Sequence, residues 1–428
     1  MLNNLFLMDM KKYTVFLVSC FFALGAFAQN DTTQKIVEGR KNSAEQQKKP
    51  YVILISADGF RYDYAEKYKA THLQQLANEG VQSPYMVPSF PSVTFPNHYT
   101  LVTGLYPSHH GLVDNYFYDR NRKEFYSSGN KAKVADPTWY GGTPLWVLAE
   151  QQHMLTASFY WVASEAPIKN TRPTYYYVYN EKINIHNRIQ TVVDWLKLPE
   201  ESRPHLITFY LPQVDHAGHQ YGPDAPETEK EVHFVDSAVY ELTKAVKTTG
   251  LDVNYVFVSD HGMTKIDREH PIGKPDAVDT SKFIVSGDGV MVQLFAKDPK
   301  FIKDTYDQLK KEAKDYQVFL STEMPEKYNY SKADDRYNRI GDIILIPNWP
   351  NVFNLNGRKL NVGTHGFDPI VVKEMMATFY AWGPAFKQHT QVSPFKNVDI
   401  YPLITTILNL PYTEKIDGTT KLAQQALK

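Results

Sequence analysis

The stretch Tyr51-Val52-Ile53-Leu54-Ile55-Ser56-Ala57-Asp58-Gly59 decides how the rest of the chain is read. From Tyr51 to Ser56 it is apolar almost without interruption, with β-branched side chains in the middle. A strand wetted on one face alternates apolar with polar residues. One that does not alternate is buried on both faces, as in a mainly parallel sheet sandwiched by helices. Comparable runs recur at Leu206–Leu211, Tyr255–Ser259 and Met376–Ala381. Helical patterns fall between them, at Ala70–Glu79, Thr143–Gln152, Asn187–Leu196 and Glu229–Lys247. Strands alternating with helices predict an α/β fold with a central, mainly parallel sheet flanked by helices. The region from about Ser281 to Pro347 breaks the rhythm. A strand-like Gly289–Leu294, a charged helical stretch Asp304–Lys314 and short strands at Tyr316–Leu320 and Asp342–Ile346 predict a small inserted α+β subdomain.

Ligands bind beyond the strand ends of such sheets, and three of four candidate clusters follow predicted buried strands. The first strand runs into Asp58-Gly59, which alone reads as a common turn. The second leads to Asp215 and His219, four residues apart and able to converge on one ion if the turn is helical. The third runs straight into Asp260-His261-Gly262. Near the end, Gly363-Thr364-His365-Gly366-Phe367-Asp368 places another imidazole in a glycine-flanked turn. Any one histidine reads best as a hydrogen-bonded structural residue. Together the clusters supply three Asp and three His ligands, enough for two zinc ions. A fifth element, Pro91-Ser92-Val93-Thr94-Phe95-Pro96-Asn97-His98, holds a hydroxyl next to an aromatic ring and an amide. A helix beginning after Pro96 would aim backbone N–H groups at an anion near Thr94. Ser89, Ser92 and Thr94 are all candidate nucleophiles on composition, and His98 and His110 receive no role.

The ordered set Asp58-Gly59, Thr94-Phe95-Pro96-Asn97-His98, Thr103-Gly104-Leu105-Tyr106-Pro107, Asp215 with His219, Asp260-His261-Gly262 and Gly363-Thr364-His365-Gly366 resembles the nucleotide pyrophosphatase/phosphodiesterase family of the alkaline phosphatase superfamily. The match spans roughly residues 51–410. The resemblance implies an alkaline-phosphatase-like fold with two Zn2+ per chain. One zinc would be held by Asp215, His219 and His365, the other by Asp58, Asp260, His261 and the Thr94 hydroxyl. It selects Thr94 as nucleophile, forming a phospho-threonine ester that water then hydrolyses, and makes Asn97 the donor to a phosphate oxygen. It also implies a nucleobase slot formed by Phe95, Trp161, Tyr176 and Tyr210, although Tyr175, Tyr177 and Tyr179 permit a shifted alignment. Some animal members carry a basic residue soon after the stretch matching Asp114-Asn115, where Tyr116 and Phe117 follow here. Their disulfide-rich and nuclease-like domains have no counterpart. A small-molecule nucleotide or other phosphodiester is the implied substrate. A choline-phosphodiester, lysophospholipid, phosphonate or phosphomonoester hydrolase on the same metal core is the rival reading.

Composition fits this and excludes other classes. The 428 residues are 43% hydrophobic and 22% charged, as in a globular protein. Forty-six basic residues against 47 acidic ones leave a net charge of −1, which argues against a stable nucleic-acid partner. Lys11 and Lys12, the apolar run Tyr13–Ala28 and its Ala26-Phe27-Ala28 end read as a signal peptide over residues 1–28, hence a periplasmic or secreted protein. The run is short for a transmembrane anchor. Met1 and Met10 are alternative starts. Cys20 is the only cysteine, and the apolar Phe21–Leu24 after it disfavours lipidation there. Cleavage after Ala28 leaves no thiolate, which excludes a cysteine-type sulfatase and leaves zinc to His and carboxylates. Residues 29–49, polar and rich in Lys and Gln, read as a flexible lead-in to a catalytic domain over 50–425. A non-catalytic metal-stabilised binding protein would keep the Asp/His set but have no need of Thr94 or Asn97.

Overall fold

A computed structural model of the chain describes residues 32–428; the expected signal peptide lies outside the described residues. The Tyr51–Ala57 strand lies inside a nine-stranded sheet, flanked by Leu206–Leu211 on one side and Val253–Val258 on the other, both parallel to it. Its side chains explain its composition. Val52 and Leu54 enter one core, where the helices Thr94–Thr103, Leu145–Gln151 and Ile400–Leu408 pack. Ile53, Ile55 and Ala57 enter the other, under the helices Thr71–Glu79, Ile185–Leu196 and Pro226–Lys247. Successive residues of a strand point to opposite faces, so burying both leaves no position for a polar side chain to reach water.

Thr156–Phe159 and Tyr175–Tyr176 continue the parallel set outward. Thr156–Phe159 carries two hydroxyl residues and is too short for the apolar-run criterion to detect. On the other side Phe379–Trp382 runs antiparallel to Val253–Val258, so the expected Met376–Ala381 run starts later and reverses the sheet's direction. Lys35–Ile36 pairs antiparallel with Tyr175–Tyr176, and the Asn42 amide donates to the carbonyls of Glu200 and Arg203. The expectation of a flexible lead-in is therefore corrected from residue 35 onward. Polar residues there are held by backbone pairing, which composition does not report.

A second sheet, antiparallel and four-stranded, orders Phe283–Asp288, Met291–Ala296, Ile343–Pro347 and Tyr316–Leu320. With the helix Lys300–Glu312 it encloses a separate core around Leu294, Leu309, Val318 and Phe353. A hairpin, Tyr116–Asp119 with Glu124–Ser127, lies beside it. Arg339 joins the two. Its guanidinium meets Asp119 at 2.8 Å and donates to the carbonyls of Gly111 and Trp139, both at 2.7 Å. Both charged side chains are almost fully buried, at 2% and 3% exposure. Removing one member of a buried pair strands the other's charge, so Arg339→Ala is expected to cost about 3–5 kcal/mol in denaturant unfolding. A loss below about 1 kcal/mol would refute the buried bridge.

Candidate active site

Three adjacent parallel strands end side by side, and the site follows from that. Asp58 comes directly after Tyr51–Ala57, Asp260 two residues after Val253–Val258, and Asp215 in the helix Gln213–Tyr221 that begins just past Leu206–Leu211. The helix brings His219 round to the same side, its Nε2 3.4 Å from Asp215 Oδ1. His365 arrives on Gly363–Thr364, which pairs with Thr264–Lys265 just beyond His261. Its Nε2 lies 3.6 Å from Asp215 Oδ1 and 3.1 Å from His219 Nε2. His261 Nε2 lies 2.9 Å from Asp260 Oδ2 and 3.6 Å from Asp58 Oδ1. The rings of His261 and His365 stack at 3.6 Å, making the two groups contiguous. Asp58, Asp260 and His261 form one set of converging donors, and Asp215, His261 and His365 another, so His261 borders both.

The tautomers are legible from the partners. Nδ1 of His261 faces the Gly262 carbonyl at 2.8 Å, that of His219 the Gly363 carbonyl at 2.9 Å, and that of His365 the Ser92 carbonyl at 3.0 Å. Carbonyls only accept, so each Nδ1 carries the proton and each Nε2 presents a lone pair inward. Asp58 Oδ1, Asp215 Oδ1 and Asp260 Oδ2 are buried without a hydrogen bond. Lone pairs of six side chains thus converge on one another, an arrangement that fits divalent cations held by hard oxygen and imidazole ligands.

Electrostatics agrees. Burial pushes the Asp58 carboxyl well above its usual range, and the charges of Asp260 and Asp215 add to this. Burial acts on Asp260 too, but His261 and His98 outweigh it and hold Asp260 well below the usual range. His261 is itself raised by Asp260 against its burial. Burial, with His261 and His219 alongside, holds His365 well below an ordinary imidazole.

Thr94 is the first residue of the helix Thr94–Thr103, so the helix starts three residues earlier than a start after Pro96 would place it. Pro96 fits the first turn because the N–H it lacks has no acceptor there. Thr94 Oγ1 lies 3.2 Å from His261 Nε2, at the edge of the donor cluster. Ser89 and Ser92 are engaged elsewhere, with Asn397 and the Phe367 carbonyl.

Two expectations are corrected. Asn97 is fully buried and donates to the carbonyls of Pro91 and Val93, both at 2.9 Å. Its oxygen accepts from Ser89 N–H and the Asn397 amide, both at 2.8 Å. With both ends occupied it clamps the loop before the helix and has nothing to offer a phosphate. Asn115 instead meets the residue next to Thr94: its Oδ1 accepts from Phe95 N–H at 2.9 Å. A separation of 20 residues from Phe95 gives no periodic tie by which sequence could find it. Tyr176 sits inside the sheet, paired with Lys35 on one side and Ser158 on the other. Tyr179 is the tyrosine of that stretch whose ring lies beside Tyr210, at 6.0 Å. Tyr210 donates to Asp58 Oδ2 at 2.5 Å, and Phe95 is half-buried beside Thr94. Trp161 is only 4% exposed and braces His98 from behind.

The fold is alkaline-phosphatase-like, and it carries candidate metal donors at its strand ends. The family model described as type I phosphodiesterase/nucleotide pyrophosphatase matches residues 52–368, and the chain belongs to that family. An uncharacterized pyrophosphatase/phosphodiesterase of Schizosaccharomyces pombe is 34% identical over 396 residues, covering 88% of this chain and 80% of the relative. Ectonucleotide pyrophosphatase/phosphodiesterase family member 3 of Bos taurus is 32% identical over 84% of this chain, which spans 42% of that relative. Among solved structures, murine ectonucleotide pyrophosphatase/phosphodiesterase 5 superposes with a TM-score of 0.82 at 26% identity, over 88% of this chain and all of its own.

The crowding of carboxylates makes a prediction about the metal-free protein. Without metal, Asp58→Asn is expected to melt higher than wild type, because it removes a charge that burial and two neighbouring carboxylates oppose. Zinc at a thousandfold excess over its Kd should stabilise wild type by about 4 kcal/mol, and the variant by much less. Calorimetry with and without zinc decides. A metal-free variant melting below wild type would contradict the electrostatic reading.

Proposed function

We propose that the protein is an exported, zinc-dependent phosphodiesterase that hydrolyses nucleotide phosphodiester or pyrophosphate bonds through a phospho-threonine on Thr94. The observation that carries this is the Thr94 hydroxyl at the first turn of its helix, 3.2 Å from an imidazole lone pair of the donor cluster. The family supports it, and so does the murine structure, an inactive threonine-to-alanine variant in complex with AMP. Export rests on the leader pattern of residues 1–28. Relatives named as venom phosphodiesterases agree with it, and no described helix is long and apolar enough to cross a membrane.

Asp215, His219 and His365 would hold one zinc, and Asp58, Asp260, His261 and Thr94 the other. These ions would supply Lewis acidity that favours the Thr94 alkoxide and offsets charge on the phosphate. Thr94 Oγ forms the new bond to phosphorus as the bond to the departing alcohol or nucleotide oxygen breaks, and water later cleaves the threonine ester. The Thr94 N–H, at a helix position without an intrahelical acceptor, faces the incoming anion. Asn115 Nδ2, held by the bond from its Oδ1 to Phe95, donates to a non-bridging oxygen. Phe95, Tyr210 and Tyr179 provide the aromatic faces for a nucleobase. A diester is favoured over a monoester because no lysine or arginine bonds to Thr94, Phe95 or Asn115 among the described residues. The second charge of a monoester would have no side-chain cation to meet it.

Turnover of bis-nitrophenyl phosphate should vanish on chelation and return with zinc; an unchanged rate after chelation would end the metal reading. Thr94→Ala should lower kcat about 10⁴–10⁶-fold with zinc still bound, and Asn115→Ala about 10²–10³-fold. Parallel rates on a dinucleotide, a glycerophosphocholine and a phosphomonoester rank the substrate classes. A glycerophosphocholine turned over fastest would move the assignment to the choline-phosphodiester reading.

A further inference from the structure

One imidazole outside the donor set touches both ends of the proposed chemistry. His98 is fully buried, one helical turn past Thr94. Its Nδ1 lies 3.0 Å from the Thr94 carbonyl and 3.2 Å from Asp260 Oδ2. Both partners only accept, so Nδ1 carries a proton. Its Nε2 lies 2.8 Å from Ser56 Oγ. Ser56 shares its strand face with Val52 and Leu54, the face turned towards the nucleophile's helix. A hydroxyl donated by Ser56 to Nε2 satisfies a neutral ring at both nitrogens. The ring is fixed laterally by Trp161 and Tyr210, each edge-on at 5.2 Å, and the Trp161 indole donates to the His98 carbonyl at 3.0 Å.

These contacts close a circuit. Thr94 Oγ1 meets His261 Nε2 at 3.2 Å, and His261 Nε2 meets Asp260 Oδ2 at 2.9 Å. Asp260 Oδ2 meets His98 Nδ1, and His98 Nδ1 returns to the carbonyl of Thr94. The Thr94 carbonyl is therefore held by the His98 Nδ1–H, and the same N–H lies 3.2 Å from Asp260 Oδ2, close enough to attract its charge without a hydrogen bond. Among the described residues Asp260 Oδ1 is tied only by Gly59 N–H at 3.2 Å, a weak restraint on the carboxylate's rotation.

We propose that His98 is a positioning residue, which sets the rotamer of Asp260 and the placement of Thr94 through its Nδ1–H. The proposal rests on the assignment of Asp260 and Thr94 to the reacting centre. It differs from a purely structural role in what it demands: a donor at the Nδ1 position specifically, and an effect on zinc affinity and kcat rather than on stability alone. Asparagine at this position places an amide N–H close to where Nδ1 stood; glutamine places it near Nε2, leaving the Thr94 carbonyl without its donor and Asp260 Oδ2 without the positive N–H beside it.

The test uses the full chain, first stripped of metal and then titrated with zinc against a chromogenic chelator, and afterwards assayed on bis-nitrophenyl phosphate. His98→Gln is expected to weaken zinc binding about tenfold and to lower kcat by about 10- to 100-fold while KM changes less than threefold. His98→Asn is expected to recover most of both. Wild-type zinc affinity and kcat in His98→Gln, whatever its melting temperature, would overturn the proposal. So would His98→Asn performing no better than His98→Gln. If neither variant folds, ¹⁵N spectra of histidine-labelled wild type decide: an Nδ1–H tautomer for His98 supports the role, and an Nε2–H tautomer rules it out. A wild type inert towards every phosphodiester would count against the functional reading alone, since zinc affinity and tautomer still judge His98.

Discussion

Three carboxylates gathered in one water-poor pocket are the constraint around which this molecule is arranged. Asp58, Asp215 and Asp260 are buried, and among the described residues their ion-pair partners are histidines alone. No guanidinium or ammonium answers them. Packing a group of like charges together costs several kcal/mol unless something positive sits among them, and the imidazoles are oriented to present lone pairs instead. Folding therefore leaves a space whose chemistry is completed by cations. The Thr94 hydroxyl, the proposed nucleophile, stands at its edge, 3.2 Å from His261 Nε2.

Much of this was legible in the sequence, for a reason that can be stated. Asp58, Asp260 and Asp215 follow apolar runs, and adjacent parallel strands align their carboxyl ends, so the end of a run is a position in space as well as in sequence. Helical spacing did the same for His219. The readings that failed lacked such a rule. Asn97 and Asn115 are equally plausible amides in one dimension; only tertiary contacts show the first saturated by Pro91, Val93, Ser89 and Asn397 and the second anchored to Phe95. The four tyrosines from Tyr175 to Tyr179 differ by register in and just beyond a two-residue strand. One step of register turns a side chain to the opposite face, and composition cannot set it. The lead-in misled for a related reason: Lys35 is held by strand pairing and Asn42 by carbonyls far along the chain, contacts that composition does not report.

The inserted sheet reaches the site as well. The turn at Gly289 bridges to Phe353, and Val290 packs against Val352, Phe367, Val372 and Met375. Phe367 is two residues beyond His365, and its carbonyl accepts the Ser92 hydroxyl at 2.7 Å. The next carbonyl in this chain of contacts, that of Ser92, receives His365 Nδ1–H. The insert thus braces the loop carrying a distant ligand, and Arg339 anchors its other side to the hairpin that continues from Asn115. A subdomain that adds no ligand of its own still constrains two of the residues that matter.

The glycines beside the histidines then take on a definite purpose. His261 and His219 are oriented by the carbonyls of Gly262 and Gly363, so those two backbones must come within hydrogen-bonding distance of the imidazoles they steer. A Cβ at Gly262 would lie 2.0 Å from the Glu374 carbonyl, and one at Gly363 would lie 2.4 Å from that of Gly218. Only a residue without a side chain lets the loops close that far. Asp260-His261-Gly262 and Gly363-Thr364-His365 are therefore compact for a mechanical reason. The ligand and the carbonyl that fixes a tautomer must be delivered by the same few atoms of chain, with no side chain between that backbone and the neighbouring loop.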